Sequence, residues 1–423
     1  MGRIQNFDAL ASTPERKDAL KIIEAAYEAI DSEKVVRASV RLDGAMLTIG
    51  EERVDLSKYE RVFMVGCGKV ACEAAAALED IVRAYVKGGA VIGVTNHACD
   101  IVTTYQGTHP VPSGANFAAS DHIMRIGKEV TERDLVLAII GGGGSSLLCS
   151  SQRESDQSAT LYNAFLMSGG TIDELNMVRR HLSLLKGGGL AKILHPATIV
   201  GLIFSDVVGG DLRTVASGPT YKDDSTVADA QVIIEKYHLG TYALTETPKE
   251  DKYFEKVRNV LIVGNDTALK AMNEKATVLG YEVRTPVCDP YGEPDAVLGA
   301  MEKVATPGSV VIFGGEPRLV VTSGGWGHGG RNSYMALAAL YVLKDAQVYA
   351  AFASDGIDNS ESAGAIVDLG TKKKLQGATV SLDEHKASCD TNVVFEKTGD
   401  LIMTGVVEAN VSDLALLITP RHE

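Results

Sequence analysis

Short apolar, β-branched runs recur along the chain. Each breaks off in glycine, serine, aspartate or asparagine, and a helix-like stretch follows. In the first half the runs lie at 62–65, 90–95, 135–140 and 198–204. Beyond them the rhythm resumes at 260–263, 310–313 and 348–353, followed by Gly264-Asn265-Asp266, Gly314-Gly315-Glu316 and Ser354-Asp355-Gly356. Runs of this length bounded by turn residues read as buried strands alternating with helices. The alternation predicts an α/β fold class: two α/β domains with mostly parallel sheets flanked by helices. In such sheets ligand-binding residues gather in loops at the carboxyl ends of the strands. Residues 1–35 read as helical, with a helix start at Ser12-Thr13-Pro14. A polar stretch at 221–226 and a charged, proline-containing one at 245–253 mark a shift in composition. They place the boundary near 235, giving an amino-terminal domain 1–235 and a carboxy-terminal domain 236–423.

Composition changes this picture little. The 423 residues suit two domains, and 45% hydrophobic with 23% charged is ordinary for a globular chain. A formal charge of −14 argues against a nucleic-acid partner, which calls for a basic face. It leaves an anionic small molecule open, because a local basic cluster can hold one. The six cysteines show no zinc or C-x-x-C spacing and read as buried free thiols in a reducing, cytoplasmic setting. No apolar run approaches a membrane span. With 43 glycines, many backbone positions need left-handed geometry or close approach.

Several of those glycines sit in chemically suggestive loops. Gly66-Cys67-Gly68-Lys69-Val70-Ala71 follows the first strand as G-x-G-x-x-A. A structural turn and an anion-binding turn both fit it. The following strand ends in Thr95-Asn96-His97, without the acidic residue that would hold a nicotinamide ribose. Gly141-Gly142-Gly143-Gly144-Ser145-Ser146 lets several N–H groups converge with two hydroxyls, and reads as a phosphate cradle. No G-K-[ST] follows, so it is not a Walker loop. Asn176–Gly189 is dense in cations, and Arg179, His181 and Lys186 are candidates to grip a carboxylate. Asp206 ends an apolar run and Asp211 follows it. The two could hold Mg2+, Asp206 could take a proton from a hydroxyl, or it could cap a turn. Ser323–Asn332 is glycine-rich and opens a helix at Arg331, where a cation opposes the helix dipole; a role on an anion explains it better. Ser354–Asn359 is a further acidic turn, readable as a metal or hydroxyl site or as a plain turn.

Together these segments resemble the class II glycerate kinases, the glycerate 2-kinase or MOFRL family, formerly called hydroxypyruvate reductases. The stretches that carry the resemblance are VGCGKVA, THPVPS, GGGGSSLL, TIDELNMVRRHLSLLKGGGLA, FSDVVGGDLRTVASGPT, GGEPRLVV, GHGGRN and SDGIDNSESAGAIVD. The resemblance implies a Rossmann-like amino-terminal domain, a smaller carboxy-terminal α/β domain and an active site in the cleft between them. It implies ATP, a divalent metal, and transfer of the γ-phosphoryl group to the 2-hydroxyl of D-glycerate. It also implies an active centre of Lys69, Asp206 and Arg331. Gly66, Gly68 and Gly141–Ser146 are then expected at the ATP phosphates, and Asp206 with Asp211 at Mg2+. One departure is Thr404–Val411, TGVVEANV, where family members often carry GPTGTNV. Another short sugar acid or polyol as acceptor, a nicotinamide-dependent hydroxypyruvate reductase, and a catalytically silent metabolite binder are the alternatives. A homodimer is left open.

Overall fold

The computed structural model describes residues 2–166, 168–319, 327–376 and 380–421. The chain divides into two compact units, one of Ser32–Val263 and one that joins Met1–Asp31 to Gly264–Glu423.

After a helix at Ser32–Ser39, the amino-terminal unit carries a small antiparallel sheet of β1 (Val40–Asp43), β2 (Met46–Ile49) and β3 (Glu52–Asp55). Its main sheet contains β4 (Arg61–Cys67), β5 (Val86–Gly93), β6 (Thr103–Gln106), β7 (Asp134–Gly141), β8 (Thr198–Phe204) and β9 (Val257–Val263). The order is β6-β5-β4-β7-β8-β9 and every pairing is parallel, as the apolar runs predicted. β7 is buried along its whole length, which its unbroken DLVLAIIG sequence allows. Alternate side chains face opposite sides of the sheet. Val65, Ala90, Ile92, Val136, Ala138 and Ile140 share one core with Ala119 and Ile123 of the helix Gly114–Glu129. Register positions the loops. Cys67 pairs with Ile92 and Ile140, and Gly141 with Phe204. Three neighbouring strands therefore end at one level, and their loops start side by side.

The carboxy-terminal unit carries β10 (Glu282–Arg284), β11 (Ser309–Gly314), β12 (Val348–Ala353), β13 (Gly364–Asp368), β14 (Leu401–Ile402) and β15 (Asp413–Thr419) in the order β10-β11-β15-β12-β13-β14. Here the structure corrects the expectation of a mostly parallel sheet. Among the described residues only β10–β11 pair parallel, while β15 inserts antiparallel between β11 and β12.

The domain boundary also moves. The run at 260–263, read as the first strand of the second domain, is the end of β9, whose ladder extends β8 from Ile199–Val257 to Phe204–Val263. The polar stretch before it resembles a linker but is tied down in the same unit. Thr245 N–H donates to His181 O at 2.8 Å, and the Lys249 ammonium to Asp223 O at 2.7 Å. At the other end, residues 1–31 belong to the carboxy-terminal unit. The expected helix start is real: Thr13 accepts from Arg16 N–H, Pro14 takes the first turn, and the helix runs Pro14–Ala29. It packs on the helix Asn265–Val278 and on β12 and β15. Tyr27 donates to Ala353 O at 2.8 Å. Arg16, only 2% exposed, donates to Asp368 at 2.7 Å, Asp400 at 2.9 Å, Thr371 Oγ1 at 2.9 Å and Ile366 O at 3.1 Å. Among the described residues, no helix is long and apolar enough to cross a membrane.

Removing one member of such a buried ionic cluster leaves opposite charges uncompensated and costs about 3–5 kcal/mol. Arg16→Ala is therefore expected to lower the urea midpoint of the carboxy-terminal unit by that equivalent. An unchanged midpoint would remove this arginine from the unit's stability.

Candidate active site

The site begins where β4 and β7 end. Gly68 has φ +139, and a Cβ on it would stand 2.7 Å from Gly141 Cα, so only glycine lets the two loops touch. Lys69 N–H then donates to Gly142 O at 2.9 Å and locks them together. Gly66 is equally confined, with Ile139 O 2.8 Å from where its Cβ would lie. Gly66 and Gly68 thus answer first to packing between strand ends, the structural alternative for the G-x-G turn.

Gly142 and Gly143 form the floor of the cradle. A Cβ on Gly142 would meet Asp206 Oδ2 at 2.4 Å, and one on Gly143 would meet Lys69 Cγ and His109 Cδ2, each at 3.2 Å. Gly143 itself is left-handed at φ +76. A two-residue glycine segment is therefore walled by Lys69 from the β4 loop, Asp206 from the β8 loop and His109 from the loop after β6. Gly144 starts a short helix, Gly144–Leu147, close against Ala216. Ser145 Oγ lies 2.9 Å from Ser217 Oγ, and Ser146 O accepts from Asn116 Nδ2 at 3.2 Å.

The Ser217 segment is backbone-strained. Ala216, Ser217 and Gly218 have φ of 50°, 60° and 64°, and left-handed geometry costs a non-glycine residue about 1–2 kcal/mol. The strain is held by docking. Ser217 is fully buried, its carbonyl accepts from Gly187 N–H at 2.9 Å, and Gly218 O accepts from Gly188 N–H at 2.8 Å. The second glycine triplet thus supports the wall of the first. Sequence reasoning missed Ser217 and His109. THPVPS and ASGPT contained them, but neither shows a charge pattern or spacing that singles out one residue.

The cation-rich segment separates by environment. His181 is buried, with Nδ1 at 3.0 Å from Thr245 O and Nε2 at 3.3 Å from Ser225 Oγ. Lys186 is buried against Glu154 at 2.6 Å and Leu148 O at 2.8 Å. Both serve the interior, and the structure does not bring them to the cradle; the expectation of a substrate role fails there because each is already consumed by a buried partner. Arg179, on the helix Ile172–Leu182, lies 5.5 Å over the Tyr162 ring and has no carboxylate partner among the described residues. Burial pulls its pKa down. Asp211, expected beside Asp206 as a metal ligand, instead caps the short helical stretch after it and accepts from Arg213 Nε at 2.6 Å. Its pKa falls chiefly through that bond. The cysteines offer no nucleophile near the cradle, since burial pushes the Cys67 thiol up to about 12.

In the carboxy-terminal unit, Arg331 opens the helix Arg331–Val342. Residues 323–326 of its motif lie outside the described residues. Its guanidinium meets Glu316 at 2.7 Å and Asp413 at 3.2 Å. Burial opposes its charge, but Asp413 and Glu316 outweigh that and raise its pKa. Burial in turn pushes Asp413 well above the carboxylate range, against the pull of Arg331. Ser412 Oγ donates to Glu316 at 3.0 Å. The acidic turn at 354–359 resolves as structural at Asp358. Buried, it accepts from Gly330 N–H at 3.2 Å, Asn332 N–H at 3.0 Å and Ser333 N–H at 2.8 Å, capping the Arg331 helix from a distant loop.

A parallel sheet whose adjoining strand ends carry a glycine floor, a lysine and an aspartate defines an α/β protein of the class whose ligand sites lie at the carboxyl ends of the strands. Residues 18–280 match the family described as domain of unknown function DUF4147, and residues 309–413 match the MOFRL family. The chain belongs to this family, the one its sequence resembles. It is 30% identical to the glycerate 2-kinase of Pyrococcus horikoshii over 95% of this chain and 97% of that protein. The D-glycerate 2-kinase of Thermotoga maritima is also 30% identical, with the same coverage of 95% and 97%. The crystal structure of the Thermotoga maritima glycerate kinase superposes with a TM-score of 0.79 at 29% identity, covering 95% of this chain and 99% of that one.

Asp358→Ala strips several N–H groups of a buried acceptor, and each orphaned group costs about 1–3 kcal/mol. The carboxy-terminal unit is expected to lose at least that much in urea unfolding, with partial recovery in Asp358→Asn. Equal stability of Asp358→Ala and the unaltered chain would show that solvent caps the helix instead.

Proposed function

We propose that this chain is a cytoplasmic, Mg-ATP-dependent kinase that phosphorylates D-glycerate on its 2-hydroxyl, releasing 2-phosphoglycerate and ADP. The observation that carries the reading is the meeting of Lys69 and Asp206 at the Gly142–Gly143 floor. The names of the relatives, glycerate 2-kinase and D-glycerate 2-kinase, support the substrate and the position. Six free cysteines suit the reducing cytoplasm.

The Gly141–Ser146 loop receives phosphate oxygens on its backbone N–H groups and hydroxyls. Lys69 neutralises charge on the phosphoryl group as it passes. In phosphoryl transfer such positioning and charge stabilisation carry most of the catalysis. Asp206 needs a cation between itself and any phosphate on the glycine floor, so its carboxylate fits Mg2+, which takes one or two carboxylates beside substrate phosphates. When bound, that ion offsets phosphate charge. Asp211, committed to Arg213, is left out. Arg179 is the cation of its segment with no acid already attached, and we assign it the glycerate carboxylate.

Lys69→Ala and Asp206→Asn are expected to lower kcat by at least ~100-fold, the effect of losing one strong transition-state group. Coupling the product straight to enolase reads the regiochemistry, because enolase consumes the 2-phosphate and not the 3-phosphate. Near-full turnover in Lys69→Ala, or oxidation of a nicotinamide cofactor by hydroxypyruvate with no ATP consumption, would sink the reading.

A further inference from the structure

A buried carboxamide stands behind the cradle. Asn116, in the first turn of the helix Gly114–Glu129, is 0% exposed. Its Oδ1 accepts from Thr108 N–H at 3.1 Å, from Ser113 N–H at 3.0 Å and from Ser113 Oγ at 3.1 Å. Those backbone donors fix which way the amide faces. Its Nδ2 then donates to Thr108 O at 3.2 Å, Ser146 O at 3.2 Å and Leu147 O at 3.3 Å. An amide nitrogen has two protons for these three acceptors, so one proton is shared.

The bonds join two loops. Thr108 is held in both directions, and its hydroxyl donates to Val111 O at 2.6 Å, closing the loop across His109. Ser146 O and Leu147 O lie in the last turn of the helix Gly144–Leu147, where carbonyls lack helical partners. Opposite, Ser217 meets the same helix at Ser145 Oγ. His109 Cδ2 and Nε2 come within 3.2 Å and 3.4 Å of the point a Gly143 Cβ would occupy. Starting the helix at Gly114 uses only the accepting oxygen of Asn116. Its bonds to Ser146 and Leu147 are surplus to that task, and they connect the imidazole loop to the serine turn across the glycine floor.

We propose that Asn116 is a positioning residue of the phosphate floor, holding the His109 loop and the Ser145-Ser146 turn at the spacing one phosphate fills. The assignment rests on the kinase reading for placing a phosphate on Gly142 and Gly143.

Two kinds of measurement test it. Asn116→Ser loses the reach to Ser146 and Leu147. Asn116→Asp keeps the accepting oxygen and turns a second oxygen on those carbonyls. Each should lower kcat at least ~10-fold, since a misplacement of about 1 Å can cost ~100-fold. Ser113→Ala removes one bond to Oδ1 but leaves the two loops tied, so its kcat should hold whatever its urea midpoint. Independently of turnover, diethyl pyrocarbonate modifies the exposed His109, and mass spectrometry follows the reaction at that residue. Saturating ADP should slow it in the unaltered chain and not in Asn116→Ser. If both Asn116 variants keep kcat, or lose no more than Ser113→Ala at an equal fall in urea midpoint, the assignment is overturned. Equal ADP protection of His109 in Asn116→Ser, or none in the unaltered chain, overturns it as well. A chain that phosphorylates no glycerate, yet shows His109 protection that depends on Asn116, would end the kinase reading and leave the positioning role standing.

Discussion

The bond from Lys69 N–H to Gly142 O, with Gly68 pressed on Gly141, is the contact on which the amino-terminal site is built. It works because β4, β7 and β8 stop at one level. Loops leaving adjacent strands at the same height must either splay apart or share space, and glycine at 68, 141 and 142 lets them share it. Lysine, aspartate and histidine then arrive at one floor without long or flexible connections. A methyl group at Gly68 would meet the Gly141 backbone and push the loops apart, and one at Gly142 would displace the Asp206 carboxylate.

Charge in the carboxy-terminal unit is arranged by a division of labour. Asp358 satisfies the backbone at the start of the Arg331 helix, which the guanidinium, a donor only, could not do. Glu316 and Asp413 hold its guanidinium laterally and offset its position at the positive end of the helix dipole. An arginine that is unfavourable by local rules becomes acceptable through residues far away in sequence.

That distance explains what the chain disclosed and what it hid. The parallel strands, the start at Thr13-Pro14 and the glycine quartet were legible because each is a local pattern: a buried run, a cap, a loop. The identity of the pairs was not. His181 and Lys186 looked like ligand cations until Thr245 and Glu154 claimed them, and those partners lie 64 and 32 residues away. The boundary failed for a related reason, since polar composition cannot distinguish a free linker from one pinned by Lys249. The antiparallel entry of β15 was not legible because a strand's direction is decided by its neighbours, and neighbours are not written in its own residues. His109 was invisible as a site residue because a loop's destination depends on the turns that carry it.

The helix Pro14–Ala29 bears on how the polypeptide is made. It is synthesised well before its docking surfaces, Asp368, Asp400 and the centre of the β15 sheet. Residues 32–263 are contiguous and can compact while translation continues. The helix must wait for those later residues, so its half of the molecule closes through contacts of very long sequence separation, the slow kind. A fragment beginning at Gly264 would be born without the arginine that neutralises its buried acids.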